Sequence, residues 1–438
     1  MNATRSWTRR EFVAGVGAAW AGFGLPWRPD VVAPLRVDAD RLLSFFHGLE
    51  RYGATPAGGI SRVAYGDADL AARAAVADHM RAAGLDVSVD VAGNLIGRTS
   101  GSADLPPLVV GSHIDSVPDG GNFDGQVGSA GALEVAHALR EHGVRLRHPL
   151  EVIVFPNEEG GKTGSRALAG EVGAEELTLM TASGFSIGEG TRRIGGDPDR
   201  LREAARAPGS VAAFFELHVE QGGVLDARGV PIGVVEGIVG IRRWRVSVEG
   251  HQNHAGTTPM SDRTDALVIA SRIVVAIDEL MKTTPGTHVG TVGRIEAFPG
   301  APNVIAGRVE HTLEIRDLRM EVIDQLFEQV RIRSEAIAGA AGGAVRFEPF
   351  YISHAAPTAE PLRRHIEDAA DAVGLVHLRM PSGAGHDAQS MARLGPIGMI
   401  FVPSTGGISH SPAEHTDDAR IVEGTEVLLN ALLAADAD

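Results

Sequence analysis

The chain has 438 residues, 44% of them hydrophobic, with 40 basic and 56 acidic side chains, a formal charge of −16, and no cysteine. That length supports one large domain or two ordinary ones with proper cores, and the negative charge disfavours nucleic acid or an anionic membrane surface as a partner, leaving a small molecule. Without cysteine there is no disulfide framework, thiol nucleophile or thiolate site, so any metal must be held by His and carboxylates.

The first segment, TRREFVAGVGAAWAGFGLP, puts Arg9-Arg10 ahead of Phe12 and a weakly apolar Gly/Ala-rich run, with Ala19-Trp20-Ala21 as a small-residue cleavage site. This order is that of a twin-arginine export signal, filling 1–33 together with a linker, and it predicts a periplasmic or secreted protein, with a cytoplasmic one as the alternative. The run is short for a transmembrane helix and no other stretch is long and apolar enough, so no stable membrane insertion is expected.

From residue 38 onward short apolar runs alternate with helical periods, as in an α/β protein. Helices are expected at 67–83 and 128–142, the second with Ala132, Leu133, Val135, Ala136 and Leu139 lining one face. LPPLVVGS and EVIVFPNEE have the character of buried strands ending in polar loops, where open α/β sheets collect functional groups. His113, Asp115 and the pair Glu158-Glu159 stand at those ends.

Between 241 and 350 the rhythm changes. RRWRVSVEG is a strand, 262–282 a helix with Leu267, Ala270, Val274, Ile277 and Met281 inward, HVGTVGRIEAF and VIAGRVEHTLEIRDL two strands, 321–339 a second helix, and GAVRFEPF a last strand. That βαββαβ order is the ferredoxin-like split unit. It predicts an inserted domain at 241–352, with a catalytic domain made of 34–240 and 353–438.

The segment GSHIDSVPDGGNFDG follows Leu108-Val109-Val110 directly. Turn chemistry uses its Asp and Gly residues but has no need of His113 two positions before Asp115. Asp124, Glu158-Glu159, His218 in FFELHVEQGG and His410 in GGISHSPAEH complete a set of candidate ligands at the polar ends of apolar runs. Singly each is weak; together they point to one rim and to metal.

The motifs GSHIDSVPDGGNFDG, NEEGG, ELHVEQG, GHQNHAGTTPMSDRTDA, APNVIAG, SGAGHDA and GISHSPAE, in this order from about residue 40 to the end, resemble the hydantoinase/carbamoylase branch of the di-zinc aminoacylase and carboxypeptidase superfamily. The resemblance implies a zinc-peptidase-like α/β catalytic domain, a mixed sheet flanked by helices, with the inserted α+β ferredoxin-like unit as a lid and dimerisation domain. It makes Asp124 a carboxylate bridging two divalent ions, Zn²⁺ or alternatively Mn²⁺, Co²⁺ or Ni²⁺, with His113 and His218 on one and Glu159 and His410 on the other. Glu158 becomes the general base acting on the bridging water, and His254 the oxyanion donor, supplied by the lid or by the partner of a homodimer. Two residues from His113, Asp115 is placed to accept that ring's other N–H. Arg316 and Asn303 are expected to clamp a substrate carboxylate, with Gln221 and His386 as further substrate contacts. His251 and His288 are read as structural or solvated, and His415, which follows SPAE where the family varies, is passed over as a ligand in favour of His410.

The implied reaction is hydrolysis of a ureido (N-carbamoyl) C–N bond next to a carboxylate, as in an N-carbamoyl-L-amino acid or allantoate. An aminoacylase or peptidase on the same fold is the alternative, and a non-catalytic binding protein a further one. In EEGGKTGSRALAG the stretch after the paired glutamates is shorter than the family's, which usually carries an Arg-Phe pair; that segment lies near the substrate, so the metal ligands carry over intact while carbamoylase-type specificity does not carry over with them.

Overall fold

Strands buried on both faces need continuous apolar sequence, and the runs LVVG, LEVIVF, AFFELHV and IGMIFV supply it. The computed structural model describes residues 33–438, so the Arg9-Arg10 segment lies outside the described residues. The elements begin with α1 (Ala39–Gly48), α2 (Asp67–Ala82), β1 (Asp86–Val89), β2 (Leu95–Thr99), β3 (Leu108–His113), α3 (Gln126–Glu141), β4 (Leu150–Phe155), α4 (Thr163–Leu168), α5 (Ile187–Arg193), β5 (Ala213–Val219), α6 (Val224–Arg228) and β6 (Ile232–Ile238). Next come β7 (Gly240–Glu249), β8 (Asn253–His254), α7 (Ala266–Thr283), β9 (Val289–Thr291), β10 (Ile295–Phe298), β11 (Val304–Ile305), β12 (Arg308–Asp317), α8 (Met320–Ala340) and β13 (Ala344–Ser353). The chain ends with β14 (Ala356–Pro357), α9 (Glu360–Ala372), β15 (His377–Ser382), α10 (Ala388–Met391), β16 (Ile397–Val402) and α11 (Asp418–Ala437).

The larger sheet has nine strands in the order β1-β2-β4-β3-β5-β16-β6-β14, with β15 also on β6. Its centre, β4-β3-β5-β16, is parallel, while β1, β2 and β6 pair antiparallel toward the edges. The sheet is therefore mixed, with apolar cores on both faces. Helix α3 was expected to bury one face, yet every residue from Gln126 to Leu139 is buried. The reason is placement: it lies on β3 and β5 and is covered by α1 and α11. A Cβ on Gly128 would fall 2.0 Å from the Leu217 carbonyl, so glycine lets the helix backbone rest directly on β5.

The smaller sheet is antiparallel, ordered β10-β12-β7-β13 with β9 also on β12, and α7 and α8 pack on it around a separate apolar core. The expected βαββαβ succession is present, with the second strand broken into β9 and β10 and a two-stranded ribbon, β8–β11, beside it. Of the expected inward face of α7, Ala270 and Ile277 are buried and Val274 and Met281 half-buried, while Leu267 is corrected to exposed. Ala266, Ile269, Ala270, Ile273, Ile277 and Leu280 are buried, whereas Leu267, Val268 and Val275 are exposed. The helix carries more apolar residues than one face can bury, so periodicity alone leaves the edge of that face open. Among the described residues no helix is long and apolar enough to cross a membrane.

Candidate metal centre

Parallel neighbours deliver their carboxyl ends to the same rim of a sheet, and here four of them converge. His113 is the last residue of β3, Glu158-Glu159 follow β4, His218 is the penultimate residue of β5, and His410 lies in the loop after β16. Asp124 stands in the turn between β3 and α3. Arg62, fully buried, fastens that turn by donating to the carbonyls of Ile114, Leu49 and Tyr52 and to Asn122 Oδ1.

The two oxygens of Asp124 face different partners. Oδ1 lies 3.1 Å from His218 Nε2 and 3.5 Å from His113 Nε2, while Oδ2 lies 3.0 Å from His410 Nε2, itself 3.6 Å from Glu159 Oε2. A tetrahedral cation with bonds of about 2.0–2.1 Å separates its ligand atoms by about 3.3 Å, so both groupings fit a first-row divalent ion sharing one carboxylate. His113-Asp124-His218 and Asp124-Glu159-His410 each bring their ligand atoms within 4.8 Å of one another.

The ring protons are placed for ligation. His218 Nδ1 bonds the Val219 carbonyl at 2.9 Å and His113 Nδ1 the Asp115 carbonyl at 3.0 Å, which leaves both Nε2 atoms as acceptors toward Asp124. The expected partner of His113, the Asp115 carboxylate, is 3.8 Å away. That carboxylate instead accepts the backbone N–H groups of Glu158 and Glu159 at 3.3 and 3.2 Å, fixing the paired glutamates. In the loop just past β3 the Asp115 carbonyl turns back onto the ring while its side chain is engaged by the N–H groups that follow β4. Asn157, Gln221 and His410 all hold positive φ, a cost of strained backbone concentrated around this rim.

Charge follows geometry. Burial alone would raise the Asp124 carboxyl, but His218, His113 and His410 hold it well below the usual carboxylate range. The buried His113 and His218 rings are raised by the same carboxylates, and His410 is raised to about 9 by its bond to Asp124. The pocket thus draws positive charge onto its imidazoles, the field a divalent cation would satisfy in place of protons. Burial pushes Glu158 well above its ordinary range and Glu159 up to about 7. Glu158 Oε2 lies 3.8 Å from His113 Nε2, beside the ligand set.

The candidate substrate residues divide into two groups. Gln221 donates Nε2 to Asp124 Oδ2 at 2.5 Å and lies 3.4 Å from His410, so it stands against the ligands themselves. His386 is buried, its ring edge-on to His218 at 4.5 Å between centroids and its Nε2 2.8 Å from Ser382 Oγ. Arg316 reaches the same Gly-rich loop, donating Nη1 to the Gly383 carbonyl at 2.7 Å and Nε to Glu314. His254 and Asn303 are brought together elsewhere: the β8–β11 ribbon pairs His254 with Val304, and Ala255 N–H donates to the Asn303 carbonyl. Both are exposed and neither belongs to the ligand clusters. His254 Nδ1 accepts from the N–H groups of Gly256 and Thr257, which directs its remaining Nε2–H outward as a donor.

Two residues escaped the motif reading. Glu414 Oε2 accepts the N–H groups of Phe123 and Asp124, while its Oε1 accepts Ser409 Oγ, tying the two ligand loops together. Its place four residues after His410, in SHSPAE, was the available signal. Glu216, two before His218 and so on the same strand face, is buried and accepts Ser112 Oγ and Ala388 N–H.

Residues 109–434 match the Peptidase family M20/M25/M40. The chain is 42% identical to an N-carbamoyl-L-amino acid amidohydrolase of Geobacillus stearothermophilus over 90% of its own length and 98% of the relative's. It is 35% identical to the allantoate amidohydrolase of Escherichia coli, covering 87% and 94%. A solved amidase of the hydantoinase/carbamoylase family from Burkholderia multivorans superposes with a TM-score of 0.85 at 36% identity, covering 92% of this chain and 99% of that one. The chain belongs to the M20 peptidase family.

Proposed function

We propose that the protein is a metal-dependent amidohydrolase that cleaves the C–N bond of a ureido acid such as an N-carbamoyl-L-amino acid or allantoate. The observation that carries this is Asp124, whose two oxygens each face a separate ligand set with Glu158 alongside. His113, His218 and Asp124 would hold one ion and Asp124, Glu159 and His410 a second, with Zn²⁺ suited to this imidazole and carboxylate donor set and Mn²⁺, Co²⁺ or Ni²⁺ also accommodated. When bound, such a pair supplies Lewis-acid polarisation and eases deprotonation of water. Glu158 takes a proton from the attacking water and returns it to the leaving nitrogen, so a C–O bond replaces the C–N bond and the carboxylate is restored. His254 donates Nε2–H to the developing oxyanion, and Arg316 and Asn303 hold the substrate carboxylate, with Gln221 and His386 closing the site.

Since His254 and Asn303 lie apart from the ligands, residues 241–352 act as a lid that supplies them on closure or across a homodimer. The exposed Leu267, Val268 and Val275 of α7, beside the exposed Val289 of β9, support this unit as the dimerisation surface. Export by the Arg9-Arg10 segment places the enzyme outside the cytoplasm; an uncleaved chain in the cytoplasmic fraction refutes that.

The test is ammonia release by metal-reconstituted protein from N-carbamoyl-L-amino acids, allantoate and ureidoglycolate, beside amine release from N-acetyl amino acids. Turnover of a ureido acid that Glu158→Gln abolishes without losing metal supports the reading; turnover of N-acetyl compounds alone overturns it in favour of an aminoacylase.

A further inference from the structure

Between the end of β13 and the segment that follows the paired glutamates lies a cleft of about 900 Å³. Three cations line it, and two are already neutralised: Arg166 pairs with Glu176 at 2.6 Å and Arg393 with Glu171 at 3.1 Å. The third, Lys162, is half-buried and bonds only the neutral amide oxygen of Gln389, with no carboxylate partner among the described residues. Gln389 in turn donates to Ser353 Oγ and the His354 carbonyl, which holds that amide oxygen toward the ammonium.

Lys162 sits where the cleft meets the reacting centre. Its backbone N–H bonds the carbonyl of Glu158, four residues earlier, at 2.9 Å, and its side-chain charge favours the ionised form of Glu158 and the neutral form of His386. Its backbone is left-handed, φ 57, a conformation in which a side chain is tolerated only against strain. The ammonium rests against Gly385, where a Cβ would approach Nζ to 3.3 Å. Arg316 contacts the same loop two residues earlier, at Gly383. The loop 382–387 therefore carries one cation reaching Gly383 and a second lying against Gly385.

We propose that Lys162 determines substrate specificity by binding a second anionic group on the substrate, so that the preferred ureido acid is a dianion: an N-carbamoyl derivative of a dicarboxylic amino acid. This rests on the amidohydrolase reading above, with Arg316 taking the α-carboxylate and Lys162 the distal one. A half-buried cation that lines a cleft and whose hydrogen-bond partner is a neutral amide oxygen attracts an anionic ligand more strongly than an apolar one, since the anion supplies a charge-assisted bond that the amide does not.

The experiment uses the metal-reconstituted full chain and two isosteric pairs, N-carbamoyl-L-glutamate against N-carbamoyl-L-glutamine, and N-acetyl-L-glutamate against N-acetyl-L-glutamine. The expected result is a kcat/KM at least tenfold higher for the N-carbamoyl dianion, carried mainly by KM, with the ratio falling to near unity in Lys162→Met and persisting in Lys162→Arg. A wild-type ratio near unity, or a Lys162→Met variant that lowers both members of a pair equally, overturns the proposal. Preference for the dianion in the N-acetyl pair with no ureido cleavage leaves the Lys162 subsite standing and overturns the ureido reading alone; turnover of none of the four overturns both.

Discussion

Replacing Gly125 by alanine tests whether the turn carrying Asp124 is built around His113. Gly125 holds φ 75 and ψ −40 at the start of α3, where a side chain costs about 1–3 kcal/mol in backbone strain. A Cβ there would lie 2.4 Å from Cε1 and Nε2 of His113 and 2.5 Å from Nδ1, against an ordinary contact of 3.4 Å or more. The ring must therefore retreat by about 1 Å, several times the roughly 0.2 Å that ligand bonds tolerate. The expected outcome is a folded protein, less stable by about 1–3 kcal/mol in urea, that loses the ion proposed for His113 and His218 and at least about 100-fold in kcat/KM. Metal content after dialysis, by mass spectrometry, and ammonia release measure both effects. Gly143→Ala is the control: its φ is 66 but nothing lies within 4 Å of the new Cβ, so it places a side chain at positive φ without the clash and is expected to keep its metal. Gly125→Ala with full metal content and kcat/KM within about twofold of wild type would refute the reasoning.

Chelation is expected to abolish activity and lower the melting temperature, because buried like charges at Asp124, Glu158 and Glu159 lose their counter-ions; stepwise return of Zn²⁺ or Mn²⁺ restores both, and an unchanged melting curve contradicts the assignment. Glu414→Gln puts an amide NH₂ where a carboxylate accepts two backbone N–H groups and the Ser409 hydroxyl, so metal affinity or kcat should fall about 10–100-fold; equilibrium metal titration decides. The half-buried His79, stacked on Phe45 and beside His137, is pushed down to about 4 by burial and then by the His137 charge. Its folded value lies below the unfolded one near 6.5, so the unfolded chain binds more protons between them and stability is lost as pH falls from about 6.5 to 4. After allowance for solvent screening this is on the order of 1 kcal/mol, and urea midpoints at pH 7 and 4.5 should converge in His79→Gln relative to wild type.

The legible part of this molecule is the part in which sequence and geometry share a period or a strand end. β3, β4, β5 and β16 announce themselves because parallel strands buried on both faces need nearly continuous apolar runs, broken here by few polar residues such as Glu151 and Glu216, and the polar residues at or beyond their carboxyl ends mark the rim. The five candidate ligands stand within that logic. What stayed hidden depends on long-range packing. The edge of α7's buried face could not be read, Leu267 being exposed and Ile269 and Ile273 buried, because its apolar residues overfill one face and the sheet beneath decides which of them it covers. The burial of α3 on every side depends on α11, almost three hundred residues away in the chain. The acceptor for His113 depends on a main-chain carbonyl, which no residue pattern records.

The same distinction explains why the site is divided. The candidate ligands gathered from four strand ends are held by the fold itself: Arg62, Asp115 and Glu414 each join segments far apart in sequence, so the cluster forms only when the whole sheet forms, and the proposed metal binding would be coupled to folding. His254 and Asn303 ride instead on a two-stranded ribbon outside that sheet and share no hydrogen bond with the ligands. A centre rigid enough to hold ions and a donor free to arrive with the substrate are opposite mechanical demands, and the roles proposed for the two would be met by their lying on different sheets. If that division is functional, substitutions at His254 should reduce turnover while leaving metal content and urea stability unchanged, whereas substitutions at His218 should disturb all three.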